Sequence, residues 1–383
     1  MAELVDLLRQ EARRLFTDRA ILLTLFGGLL YYFLLYPSPY ANQVARELPV
    51  ILVDQDDSLL SRQLAFMAEA TPTLKFVGTA STLEAAQQRL RHNEARGILV
   101  IPPHFMRDVR LGRSVTLALA ADATYFLSYS GIAEGLSTAA ATLGVGIQVQ
   151  RRLASGEALP QALNDSRPFA VNSVPLFNPT LGYQPYVLPA VFLLILHQTL
   201  LIGAGLQACG QRLASQAGES GYWQSASPLT LLAARTSLFT LLYLLFALAY
   251  LVVGLAWYGL PRLAALGQLL LLWLPLFMTI SCVGSLLGSL LPRRELVTAL
   301  VVLSSLPIVF VTGFIWPNEG LPAWQAALAQ WIPATPGIQA FLKLQVEGAD
   351  LSQIRPELGQ LYGQLALYGL LAWWALRRRQ RVE

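Results

Sequence analysis

His197, Gln198 and Thr199 stand together in the middle of a long apolar stretch. Polar groups at membrane depth face a bundle interior or a wet cavity, because facing lipid costs several kcal/mol. Two readings stay open for His197: a neutral ring satisfied by an interhelical hydrogen bond, or a member of a substrate path or proton relay. With Ser304 and Ser305 on a later apolar stretch, the three residues form the candidate substrate path. Asp54 and Asp122 each follow a strand-like run, a position that serves α/β active sites but equally one where Asp builds turns. His92 and His104 are isolated and match no metal-ligand interval, so no metal site is expected. Cys209 and Cys282 fall in apolar segments and suggest neither a disulfide framework nor a zinc site. There is no G-x-x-x-x-G-K-[ST], so any ATP-driven work has to be powered by a partner.

The segments that must position these groups are hydrophobic and unevenly spaced. One runs from Ala20 to Tyr36, and five more crowd between Tyr186 and Leu376. Each is about long enough to cross a hydrocarbon core of ~30 Å. A charged fraction of 13% in 383 residues and a mean hydropathy of +0.50 do not suit a soluble protein. The net charge of +4 does not indicate a nucleic-acid partner, since the basic residues gather at span ends. Arg9, Arg13, Arg14, Arg19, Arg212, Arg293, Arg294, Arg377, Arg378, Arg379 and Arg381 share one side if the spans alternate, against Arg262, Lys343 and Arg355 on the short connections of the other. The positive-inside rule then places both termini in the cytoplasm and residues 37–185 outside. Arg235, near the inner end of its span, is expected to snorkel to the headgroups.

Before the first span, Met1, Leu4, Val5, Leu8, Ala12, Leu15 and Phe16 recur at helical spacing opposite Glu3, Asp6, Arg9, Arg13 and Arg14. That pattern predicts an amphipathic helix in the inner interface. The insert predicts strands at Pro49–Val53, Leu74–Val77, Gly97–Ile101 and Val115–Ala121 with helices between them, hence a small α/β domain with a largely parallel sheet. Ser81-Thr82-Leu83-Glu84 reads as a capping box with Ser81 as the cap. Ala123 to about Ala154 is a long helix, and Pro168 to Phe177 is expected to be extended.

Ser281, Gly284, Ser285, Gly288 and Ser289 make a small-x-x-x-small face that suits either dimerisation or packing inside one subunit. Gly203 and Gly205 carry the same two readings. Tyr222 and Trp223, in the inner loop from Gly210 to Ser227, are expected to rest on headgroups or to fill a pocket on a cytoplasmic partner. Outside, Pro317, Pro322, Pro333 and Pro336 break the segment from Trp316 to Ile338 into pieces too short to cross.

The ordered motifs Val53-Asp54-Gln55-Asp56-Asp57-Ser58, Gly97-Ile98-Leu99-Val100-Ile101-Pro102, Leu176-Phe177-Asn178-Pro179 and Thr312-Gly313-Phe314-Ile315-Trp316-Pro317, followed by Leu321-Pro322-Ala323-Trp324 and Ile332-Pro333-Ala334-Thr335-Pro336-Gly337-Ile338, resemble an ABC type-2 exporter permease over essentially the whole chain. The resemblance implies an α-helical integral membrane protein with six transmembrane helices and an inserted α/β extracytoplasmic domain. Its parts are an elbow helix and first span (1–36), the outer domain (37–185) and a five-span domain (186–383). It also implies a coupling loop (209–228) in which Gly218, Glu219, Gly221, Tyr222 and Trp223 meet the ATPase, and an outer re-entrant gate (316–340) with Trp316, Pro317 and Trp324. ATP and Mg would sit in a cytoplasmic ATPase dimer, and none would bind this chain. A second permease copy or sister chain, membrane lipids and a periplasmic adaptor complete the implied partners, in a bacterial inner membrane. Gln211-Arg212-Leu213-Ala214-Ser215-Gln216 departs from the family's charged run before the loop glycine. The rival expectation is a receptor or scaffold whose outer domain binds a ligand or envelope partner without transport.

Overall fold

The computed structural model describes residues 2–41, 44–166, 174–179 and 181–380. The expectation for 168–173 lies outside them. The chain divides into two compact units, residues 42–174 and a second made of 1–41 with 175–383.

In the first unit, β1 (Leu48–Asp54), β2 (Leu74–Thr79), β3 (Gly97–Ile101) and β4 (Ala118–Ala121) form one sheet in the order β2-β1-β3-β4. The β1–β2 and β1–β3 pairs are parallel and β3–β4 is antiparallel. Side chains alternate across a strand, so Val50 and Leu52 join one buried cluster while Ile51 and Val53 join another on the opposite face. Burial on both faces explains why this strand reads as a continuous apolar run. The helix after β2 is capped by Thr82, whose hydroxyl accepts from Ala85 N at 3.2 Å. Ser81 is therefore not the cap, and with Ala85 three residues after Thr82 the cap is a single hydrogen bond rather than the predicted box.

Phe126–Ala154 is long and apolar enough to cross a membrane. It nevertheless packs on the sheet through Ile132, Leu136, Ala139 and Leu143, one helical stripe. A Cβ on Gly135 would lie 2.6 Å from Thr73 Oγ1, so glycine permits this close approach.

In the second unit, α1 (Ala2–Thr17) leads into α2 (Arg19–Tyr40). Asp18 caps the start of α2 by accepting from Ala20 N at 3.0 Å. The unit is organised around α3 (Tyr183–Gln216), most of which is buried by its neighbours. Around it stand α4 (Pro228–Trp257), α5 (Leu266–Leu290), α6 (Arg294–Val311), α7 (Ala323–Ala329), α8 (Ala334–Gln345) and α9 (Arg355–Gln380). The charged ends of α9 lower its mean hydropathy, yet it packs along α5, where Thr279 Oγ1 reaches Leu361 O at 3.4 Å.

In hydrocarbon, helices gain from close packing because lipid is as apolar as leucine. The α3–α5 seam uses this. A Cβ on Gly284 would lie 2.8 Å from Leu201 O, and one on Gly288 would strike the Gly205 carbonyl and lie 2.8 Å from Ala208 Cβ. The small-residue face is thus filled within one subunit, and it supplies no separate argument for dimerisation. Gly288→Ala is expected to cost about 1–3 kcal/mol, because backbone rather than a flexible side chain must move. Thermal unfolding in detergent measures this, and the exposed Gly363→Ala, which meets nothing within 4 Å, is the matched control.

Candidate functional site

The strongest polar constellation lies where α1 crosses the ends of α3 and α4. On α1, Leu7, Glu11 and Leu15 recur four residues apart and are all buried, so a carboxylate occupies the middle of the apolar stripe. Val5 and Phe16, from the same apolar set, are 46% and 52% exposed, free to face the interface as an amphipathic helix does. Gln207 and Gln211, one turn apart on α3, both face Glu11. Gln207 Nε2 donates to Oε2 at 2.5 Å, and Gln211 Nε2 donates to Oε1 at 2.6 Å. Arg235 on α4 completes the ion pair through Nε at 3.0 Å from Oε2, with both side chains fully buried. Its Nη2 also donates to Gln211 Oε1. Arg235 therefore does not snorkel to the headgroups: Glu11 gives it an internal partner.

Tyr222 extends this network into the loop by donating its hydroxyl to Glu11 Oε1 at 2.9 Å and accepting from Gln211 Nε2 at 3.0 Å. Burial, the largest influence, would raise the Glu11 carboxyl. The Arg235 charge and hydrogen bonds from Arg235, Gln211 and Tyr222 together outweigh it and hold the group below its ordinary 4.5. Burial, and then the Glu11 charge, push the Tyr222 hydroxyl upward, so it stays a donor.

The loop itself follows from its glycines. α3 ends with Gly218 in the left-handed region (φ +82°), while Glu219 N reaches back to Ala214 O at 3.0 Å, the helix-ending pattern that glycine favours. A Cβ on Gly221 would run into the Trp223 ring. Tyr222–Ser225 is one short helical turn, followed by α4 with Ser227 as its cap.

Trp223 is only 7% exposed and packs with Leu7, Ala214, Leu231 and Ala234. Its Nε1 donates to Ser215 Oγ at 2.9 Å, and the Arg14 guanidinium lies 4.3 Å from its ring centre. From the end of α9, Gln380 Nε2 donates to Trp223 O at 2.8 Å, and Arg379 Nη2 donates to Ser215 Oγ at 3.1 Å. This corrects both sequence expectations for Trp223, which turns inward onto its own chain, while Tyr222 is half-buried with its hydroxyl on Glu11 and Gly218 and Glu219 are exposed at the tip. A second ion pair, Arg294–Asp18 at 2.5 Å, ties the α1–α2 corner to α6.

The candidate path residues behave differently. His197 and Gln198 are buried, and among the described residues neither the imidazole nor the amide has a hydrogen-bond partner. The first of the two readings, a ring satisfied by an interhelical hydrogen bond, therefore finds no donor or acceptor among them. Thr199 Oγ1 donates to Ile195 O at 2.7 Å. Helix periodicity puts His197 on the α3 stripe of Leu201 and Ala204, one turn from the contact with Gly284. Ser304 and Ser305 bond their own helix at Val301 O, and among the described residues no hydrogen bond joins them to His197.

Trp316 and Trp324 are exposed, beside Pro317. Trp316 precedes two short helices, α7, which contains Trp324, and α8, which is buried against α3, α5 and α9. The break between them leaves carbonyls that α9 satisfies: Gln360 and Gln364 Nε2 both reach Gln330 O at 2.7 Å, and Tyr368 OH reaches Trp331 O at 2.6 Å. Non-helical backbone at membrane depth requires such partners. Gln364→Leu should cost about 0.5–1.5 kcal/mol, the net worth of one hydrogen bond, since Gln360 still donates to Gln330 O. Accelerated hydrogen exchange at residues 330–334, with the α3–α5 seam unchanged, is the expected signature.

Long apolar helices around a buried central helix define a multi-pass membrane protein. The family model described as ABC-2 family transporter protein matches residues 19–374, and the chain belongs to that family. Its members are the membrane component of ABC transporters and work with an ATPase partner. No curated protein matches the chain.

Proposed function

We propose that the chain is the permease subunit of an exporter that moves an amphiphilic, drug-like or lipid-linked substrate out of the cytoplasm or inner leaflet. In this reading both termini and the loop at 209–228 are cytoplasmic, α2, α3, α4, α5, α6 and α9 span the inner membrane, and the α/β unit stands outside. Two permeases, identical or sister chains, pair above an ATPase dimer that holds the ATP and Mg. The observation that carries the reading is the wiring of the loop. Tyr222 shares one buried carboxylate with α1, α3 and α4, so a displacement of the loop at Tyr222 is passed to three helices. Gly221 keeps the short turn close, and Trp223 holds it down.

His197, Gln198 and Thr199 are assigned to the path, and Trp316, Pro317 and Trp324 to the outer gate. The exposed unit offers a surface for a periplasmic adaptor. Reconstitution tests the proposal: the partner ATPase in proteoliposomes should hydrolyse ATP faster with this chain present, and a fluorescent amphiphile should move in an ATP-dependent way. ATPase activity indifferent to the chain, with no movement of any amphiphile, would overturn it.

A further inference from the structure

We propose that the arginine-lined recess between the ends of α3, α5 and α9 binds the phosphate headgroup of an anionic membrane lipid. The recess has a volume of about 440 Å³, and Arg212, Arg378 and Arg379 converge on it with Ser289 and no carboxylate in its lining. Among the described residues neither Arg212 nor Arg378 has an acidic partner. Arg212 is held in place by a bond from Nη2 to Leu291 O, which leaves its Nε without a partner. The Arg378 guanidinium lies 5.3 Å from the Trp374 ring centre and makes no ion pair. Arg212, partly buried, and Arg378, exposed, thus bring two guanidinium groups to one concavity.

The rim selects the source of the phosphate. Trp374, Leu290 and Leu370 are 51%, 61% and 64% exposed, and Leu370 and Trp374 are one turn apart on α9. An acyl chain laid along that stripe would carry its headgroup to the arginines. A free phosphate or an acidic protein segment would leave this apolar rim unused. Tryptophan marks the interface, and basic pockets between spans take anionic headgroups there. In the proposed orientation the lipid belongs to the inner leaflet, but the inference rests only on membrane embedding and survives a reversed topology.

The test uses the full chain in an uncharged detergent, titrated with short-chain phosphatidylglycerol, short-chain phosphatidylcholine and inorganic phosphate, and read by native mass spectrometry. Phosphatidylglycerol is expected to bind at least about tenfold more tightly than phosphatidylcholine. Arg378→Gln should weaken it about fivefold. Leu290→Glu, which sets a carboxylate on the exposed rim, should abolish the preference without touching the core. Arg9→Gln, on the exposed face of α1, should change nothing. Equal binding of the two lipids, an unchanged preference in both recess variants, or inorganic phosphate competing as well as the lipid would overturn the proposal.

Discussion

Glu11→Ala is expected to destabilise the membrane unit by about 3–5 kcal/mol, because it strands the Arg235 guanidinium in a fully buried site. Arg235→Met should cost a similar amount for the mirrored reason. The double variant Glu11→Leu/Arg235→Met should recover most of that loss, since a buried ion pair replaced by apolar groups of similar volume is often neutral or better. If the network also transmits motion, the recovered double variant will be stable yet will fail to stimulate the ATPase. Stability and coupling then separate, which a merely structural pair would not produce. The sign with pH follows from the carboxyl lying below its ordinary value of 4.5 in the folded chain. Its stabilising contribution is complete above that value and is lost as pH falls through the lower folded one. Glu11→Gln should remove that part of the acid dependence, as read from unfolding midpoints between neutral and acid pH.

Trp223→Ala is the second large effect, at about 3–5 kcal/mol for emptying a site enclosed by α1, α3 and α4. Trp223→Phe keeps a ring beneath Arg14 but loses the bond to Ser215, and should cost only about 0.5–1.5 kcal/mol for that bond. The two side chains therefore separate packing from hydrogen bonding at the loop. Urea or thermal unfolding in detergent measures both. A surface aromatic resting on headgroups would give near-zero change in either.

The apolar runs made most spans legible, because a helix that faces lipid or protein on every side keeps no polar face to confuse the reading. The strand at Leu48–Asp54 was legible for the same reason. α9 and Phe126–Ala154 show the limit of composition: the first has charged ends but lies in the bundle, while the second is apolar but covers a sheet. Length and hydropathy cannot say what a helix packs against. The small-residue face on α5 and Gly205 on α3 were equally visible, but that the two meet across one seam was not.

Glu11 was hidden among the charges of an amphipathic helix. A signal did exist, since Glu11 sits midway between Leu7 and Leu15, and Gln207, Gln211 and Arg235 are polar residues at the ends of apolar spans. Only the fold brings those four together, from positions far apart in the chain. Trp223 lies in a turn of four residues, too short for any periodicity to reveal which way its ring faces. The carbonyls at Gln330 and Trp331 offered no side-chain signal, and their donors lie on a later helix.

The central claim is that the loop at Gly218–Trp223 is where an ATPase drives this permease. Its most direct test places a photo-crosslinking amino acid at Glu219, which is exposed beside the left-handed Gly218, in membranes of the native host. A covalent adduct to a P-loop ATPase, with a yield that changes on adding ATP, is the predicted result. Crosslinks to lipid alone, with no nucleotide-binding chain in the adduct, would contradict it.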